Sequence, residues 1–137
     1  MIIAVDFDGT CTTHNFPGVG KDIGAAPVLR RLVDEGHQLI LWTMRSRMEY
    51  PQPEEGSGFS PAKGDHLKSA EEWFERNNIP LFGVQRNPTQ DKWTTSPKCY
   101  AELYIDDAAL GCPLIYPGNG ERPYADWDAI SKLLFKD

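Results

Sequence analysis

Asp6-Phe7-Asp8-Gly9-Thr10 sets two carboxylates two residues apart where the apolar run that begins at Ile2 ends. Side chains two apart on a strand point the same way, so Asp6 and Asp8 face one site while Phe7 packs elsewhere. Two carboxylates held side by side repel, and a bound cation relieves that repulsion. Gly9 permits a sharp backbone turn directly after the pair. Asp-Gly is also a common turn dipeptide, so the motif taken alone also reads as an acidic turn closing a strand. Its position after an apolar strand favours the chemical reading.

Three further positions complete a possible site. Thr43 ends the run Leu39-Ile40-Leu41-Trp42-Thr43, where a hydroxyl and a backbone N–H can hold a phosphate oxygen; threonine is also simply a good strand former. Asp106-Asp107 ends Leu103-Tyr104-Ile105. Adjacent acids at the end of a buried strand are costly unless paired or metal-bound, although one of them can serve as a helix cap or turn. A third carboxylate meeting Asp6 and Asp8 makes a hard oxygen site suited to Mg²⁺. Lys98, eight positions before Asp106, can balance charge and grip a phosphate, or it is a surface lysine. Four other residues stand near these. His14 faces substrate or is solvated, Arg45 and Arg47 add phosphate contacts or lie on the surface, and Cys11 is open to oxidation if it borders the site.

The elements that must position these residues follow from alternating apolar runs and helical periodicities. Strands are expected at Ile2 to Phe7, Gln38 to Met44, Leu81 to Gln85, Glu102 to Ile105 and Leu114 to Tyr116. Helices are expected at Pro27 to Glu35, His66 to Asn78 and Ala125 to Phe135. Strand–helix alternation predicts an α/β fold with a mostly parallel sheet covered by helices, whose ligands bind at the carboxyl ends of the strands. Glu49 to Gly64, rich in Pro, Gly and Glu, is long for a connection in a compact domain and reads as a lid or binding loop over the site, or as an acidic loop without a role.

The 137 residues fit one domain, 1–137, with no separate cap domain. The net charge of −6 and the lack of a basic stripe argue against a grip on nucleic acid backbone. A small anionic substrate remains compatible, because local cations and a metal outweigh net charge. No apolar stretch is long enough to cross a bilayer, the first residues lack the basic region of a signal peptide, and three widely spaced cysteines suggest a reduced, cytoplasmic protein without a disulfide framework.

In this order, the DxDG motif, Thr43, Lys98 and the acidic pair resemble the haloacid dehalogenase (HAD) superfamily of phosphohydrolases, and they bracket the chain from Asp6 to Asp107. The resemblance implies a Rossmann-like three-layer sandwich with a five-stranded sheet and the first strand central. It implies Asp6 as nucleophile, Asp8 as general acid and base, and Thr43 and Lys98 as phosphate holders, joined here by Gly9 and Arg45. Mg²⁺ would be bound through Asp6, the backbone carbonyl of Asp8, and Asp106, with Asp107 outside them. The expected function is a Mg²⁺-dependent phosphatase that cleaves a small phosphate monoester through an aspartyl-phosphate. An Asp at position 8 argues for phosphate over halide chemistry. The alternative is a non-catalytic HAD-like or receiver-like module that binds phosphate and Mg²⁺. A receiver carries its phosphorylated Asp at the end of the third strand, where this chain has Val84-Gln85-Arg86.

Overall fold

A computed structural model describes residues 1–47 and 64–136. Strand β1 (Ile2–Val5) lies between β2 (Gln38–Leu41) and β4 (Leu103–Ile105), with β3 (Gly83–Val84) outside β2. All pairings in this four-stranded sheet are parallel. Val5 stands level with Leu41 and Ile105, and Leu41 with Val84, so the four carboxyl ends form one row. The chain is thus a mixed α/β protein with a Rossmann-like parallel sheet flanked by helices α1 (Ala25–Asp34), α2 (His66–Arg76) and α3 (Trp127–Leu134).

Ile3 and Val5, Leu39 and Leu41, and Ile105 share one face of the sheet, as alternation along a strand requires. They form one buried cluster with Leu29 and Leu32 of α1, Trp73 and Phe74 of α2, and Trp127 and Ile130 of α3. The alternate residues Ala4 and Ile40 are buried on the opposite face and contribute nothing to that cluster. There Cys99 and Tyr104 meet, the Tyr104 hydroxyl donating to the Cys99 carbonyl, beside a short 3-10 helix (Gln90–Lys92). Among the described residues, then, irregular chain stands where the second helical layer of a three-layer sandwich was expected.

The expected fifth strand is also different. Leu114–Ile115 (β5) pairs antiparallel with Tyr124–Ala125 (β6) as a separate hairpin. Only the eight residues 106–113 separate it from β4, and a parallel crossover needs roughly a dozen or more. Asp126 caps α3 by accepting from the Ala129 N–H at 3.1 Å, so that helix begins after Ala125 rather than at it. The lid assigned to 49–64 falls almost wholly outside the described residues.

Candidate functional site

Because β1 and β4 end level, the next residues, Asp6 and Asp106, are neighbours across the pair; the Asp6 N–H donates to the Ile105 carbonyl at 2.9 Å. Asp6, Asp106 and Asp107 each offer a carboxylate oxygen, and these atoms all lie within 4.8 Å of one another. Thr10, fully buried, ties them together. Its hydroxyl is 3.0 Å from both Asp6 Oδ2 and Asp107 Oδ1, and it accepts the Asp107 N–H at 2.9 Å. Burial raises the Asp6 carboxyl from 3.8 to about 8, helped by the charge of Asp106 and the hydrogen bond with Asp107. A cation among these oxygens would remove that cost. Oxygens about 2.1 Å from one Mg²⁺ lie no more than about 4.2 Å apart, so the three carboxylates fit such an ion with small side-chain adjustments.

Asp6 and Asp106 are among these carboxylates as expected; the Asp8 side chain is not, and the ligand that the resemblance implies at Asp8 is its backbone carbonyl. The strand stops at Val5, so the two-residue alternation that was to aim Asp8 alongside Asp6 no longer holds there. The Asp8 carboxylate instead accepts from Arg45, Oδ2 from Nε at 2.8 Å and Oδ1 from Nη2 at 2.7 Å. Asp107, expected outside the metal ligands, supplies the third carboxylate of the group.

Arg45 is correspondingly not a phosphate contact. It is 1% exposed, and its remaining N–H groups donate to the carbonyls of Pro17, Gly18 and His66, so all five donors are used. Arg47 pairs with Asp65, which caps α2, and with Glu71 in the middle of that helix. Thr43 keeps its hydroxyl proton to give, since Oγ1 accepts from the Arg45 N–H at 3.1 Å. Its backbone N–H is already donated to Gln85 Oε1 at 2.8 Å. Gln85 was overlooked in the sequence. Its amide also donates to the carbonyls of Thr43 and Arg45, locking the turn after β2 from the end of β3.

His14 is held against the site, its Nε2 2.9 Å from Asp107 Oδ2. Gly9 makes room for this: at φ +78° a Cβ would lie 2.0 Å from His14 Nε2 and 2.5 Å from Asp107 Oδ2. Cys11 is fully buried, and burial and then the charges of Asp6 and Asp8 push its thiol well above its ordinary range. A thiol kept protonated and covered is inert, which corrects the expectation of an oxidisable residue.

A cavity of about 440 Å³ opens over the strand ends, lined by Asp6, Asp8, Thr43, Asp106, Asp107 and Arg122 among others. Lys98 lines a second, of about 280 Å³, which meets the first at Asp6 and Asp106. Its ammonium lies 5.5 Å from the centre of the Tyr104 ring and makes no ion pair among the described residues. Thr43 and Lys98 therefore approach the carboxylates from different sides.

No family model matches the chain, and no curated protein does. A solved structure of a conserved protein coded by a locus from Bacteroides thetaiotaomicron is 30% identical in sequence, with a TM-score of 0.69, over 98% of this chain and 88% of that one. At that identity and coverage, the chain belongs to the same family as the conserved Bacteroides thetaiotaomicron protein.

Proposed function

We propose that the chain is a HAD-type phosphatase, a Mg²⁺-dependent hydrolase of phosphate monoesters that forms an aspartyl-phosphate on Asp6. The observation that carries this reading is the meeting of Asp6, Asp106 and Asp107 at the carboxyl ends of adjacent parallel strands, on the floor of a cavity. The acidic residues alone would repel a phosphate. Mg²⁺ held by these three carboxylates would supply the charge neutralisation that lets the anion approach.

The rest is work for the chain's own side chains. Asp6 attacks phosphorus in line, and the bond to the leaving oxygen breaks as the bond to the Asp6 oxygen forms. Asp8 lines the same cavity. Each of its oxygens accepts one bond from Arg45 and keeps a lone pair for a proton, which passes to the leaving oxygen and is later recovered from the attacking water. The Thr43 hydroxyl and Lys98 hold the transferred phosphoryl oxygens from opposite sides. Thr10 keeps Asp6 and Asp107 in register. The substrate is a small phosphorylated molecule, and the setting is the cytoplasm; no helix among the described residues is long and apolar enough to cross a membrane.

The test is turnover of an aryl phosphate. Hydrolysis should require Mg²⁺, stop with chelator and resume when Mg²⁺ is restored. Binding of Mg²⁺ and phosphate with no turnover of any ester would leave the non-catalytic module as the better account.

A further inference from the structure

Two cavities lie side by side around His14 and Arg122, which line both. One is the cavity over Asp6. The other, about 430 Å³, is walled by the loop from Thr13 to Lys21 on one side and by Glu121, Arg122 and Tyr124 on the other. From this we infer that the second cavity receives the leaving group of the ester, and that it selects leaving groups bearing a second anionic group, a carboxylate or a phosphate. The inference rests on the phosphatase reading and names its substrate class.

Charge is the first support. Lys21 and Arg122 face this space with Glu121 as the only acid lining it, in a chain of net charge −6. Neither cation is engaged by a carboxylate among the described residues. Of the other cations near the site, Arg45 is committed to Asp8 and Arg47 to Asp65 and Glu71, while Lys98, which lines the neighbouring cavity at Asp6 and Asp106, is assigned to the phosphoryl group itself. Free cations beside an anion site are what a second anionic group would pair with, and each such charge-assisted bond is strong.

Rigidity is the second. The 13–21 loop is closed by the Thr13 N–H on the Lys21 carbonyl at 3.0 Å and by the Lys21 N–H on Thr13 Oγ1 at 2.9 Å. Gly20 lets the two sides approach so closely that a Cβ there would lie 2.0 Å from the Thr13 carbonyl oxygen. The hairpin that carries the other wall is pinned to the site loop by the Ala125 N–H on the Gly9 carbonyl at 2.9 Å. Both walls are thus fixed to the segment that carries Asp6 and Asp8. Two loops of the hydrolase domain itself do what a cap domain would do, reading the part of the substrate that leaves.

The experiment compares kcat/KM for phosphoglycolate and 6-phosphogluconate (a short and a long anionic leaving group), phenyl phosphate (neutral) and choline phosphate (cationic), each with Mg²⁺. At least one anionic ester should be preferred over phenyl phosphate by about tenfold or more, with choline phosphate last. In Lys21→Ala/Arg122→Ala that preference should fall by about tenfold or more. Lys21→Glu/Arg122→Glu should invert the order of the anionic and cationic esters. A flat or reversed order in the parent protein, or a preference the variants leave intact, overturns the inference while phenyl phosphate turnover upholds the phosphatase reading. If no ester is turned over, that reading falls, and calorimetric titration with 6-phosphogluconate and Mg²⁺ still decides the cavity. Binding weakened about tenfold or more by the double alanine variant supports it; no binding, or equal binding, refutes it.

Discussion

Asp6 holds a proton because of where it sits. Burial, the charge of Asp106 and the hydrogen bond with Asp107 carry its carboxyl from 3.8 to about 8. Between those values the folded chain binds a proton that the unfolded chain releases, so stability drops as pH rises through that window. In melts without divalent cation, the parent protein should lose thermal stability from about pH 5 to about pH 8. Asp6→Asn should flatten that decline, and parallel curves for the two proteins would contradict the assignment. Arg45 poses the opposite problem, a fully buried cation whose five donors are all met. Arg45→Ala strands Asp8 and three backbone carbonyls, and urea unfolding should show a loss of about 3–5 kcal/mol, because breaking a buried pair leaves its partner uncompensated. A loss below about 1 kcal/mol would place the pair among ordinary surface ion pairs. In the sequence, Arg45 stands two residues after Thr43, where its charge suggests a phosphate contact or a surface position. Sequence spacing does not show that residues 17, 18 and 66 bring carbonyls to the same guanidinium, because those acceptors come from two segments distant from Arg45 along the chain.

The elements were legible where one local signal decided them. Apolar β-branched runs located β1, β2 and β4, and helical spacing located α1 and α2, because each of these buries a face against the same core. Since the strands are parallel and in register, naming their ends was enough to bring Asp6 beside Asp106. What failed was set by longer range or by finer backbone geometry. Gln85 takes φ +60° and ends β3 after two residues. The run at 114–116 is apolar enough for a strand but too close to β4 to return parallel. Ala125 looked helical until Tyr124 and Ala125 were claimed by the hairpin. That hairpin leads into α3, whose Trp127 indole N–H donates to the Thr10 carbonyl at 2.6 Å in the buried core. Trp127→Phe keeps an aromatic ring and strands the acceptor, so it should cost about 1–2 kcal/mol and lower Tm by roughly 3–10 °C. It should also weaken Mg²⁺ binding, because Thr10 links Asp6 to Asp107. An unchanged Tm would mean that α3 does not brace the site.

For the molecule as a whole, three half-buried carboxylates whose oxygens lie within 4.8 Å of one another are destabilising, and a bound cation should turn the group into a stabilising one. Saturating Mg²⁺ at about 100 times its Kd should add about 2.7 kcal/mol. The shift in Tm should be larger near pH 8 than near pH 6, because Asp6 must release its proton to bind the ion. A shift that is absent, or that shrinks with rising pH, would count against the metal site. The meeting of Asp6 and Asp106 was more legible than the architecture: both follow strand ends that the parallel sheet sets level, whereas the one-sided helical layer among the described residues and the hairpin depend on contacts no single segment encodes. In the proposed mechanism Asp6 itself takes the phosphoryl group, which mass analysis of the protein acid-quenched during turnover of an aryl phosphate with Mg²⁺ tests. The expected result is the mass of one added phosphoryl group, mapped to the peptide that contains Asp6 and absent from Asp6→Asn, whose turnover should be lower by roughly 10⁴-fold or more. Steady turnover with no adduct on that peptide, and with activity retained by a folded Asp6→Asn protein, would contradict it.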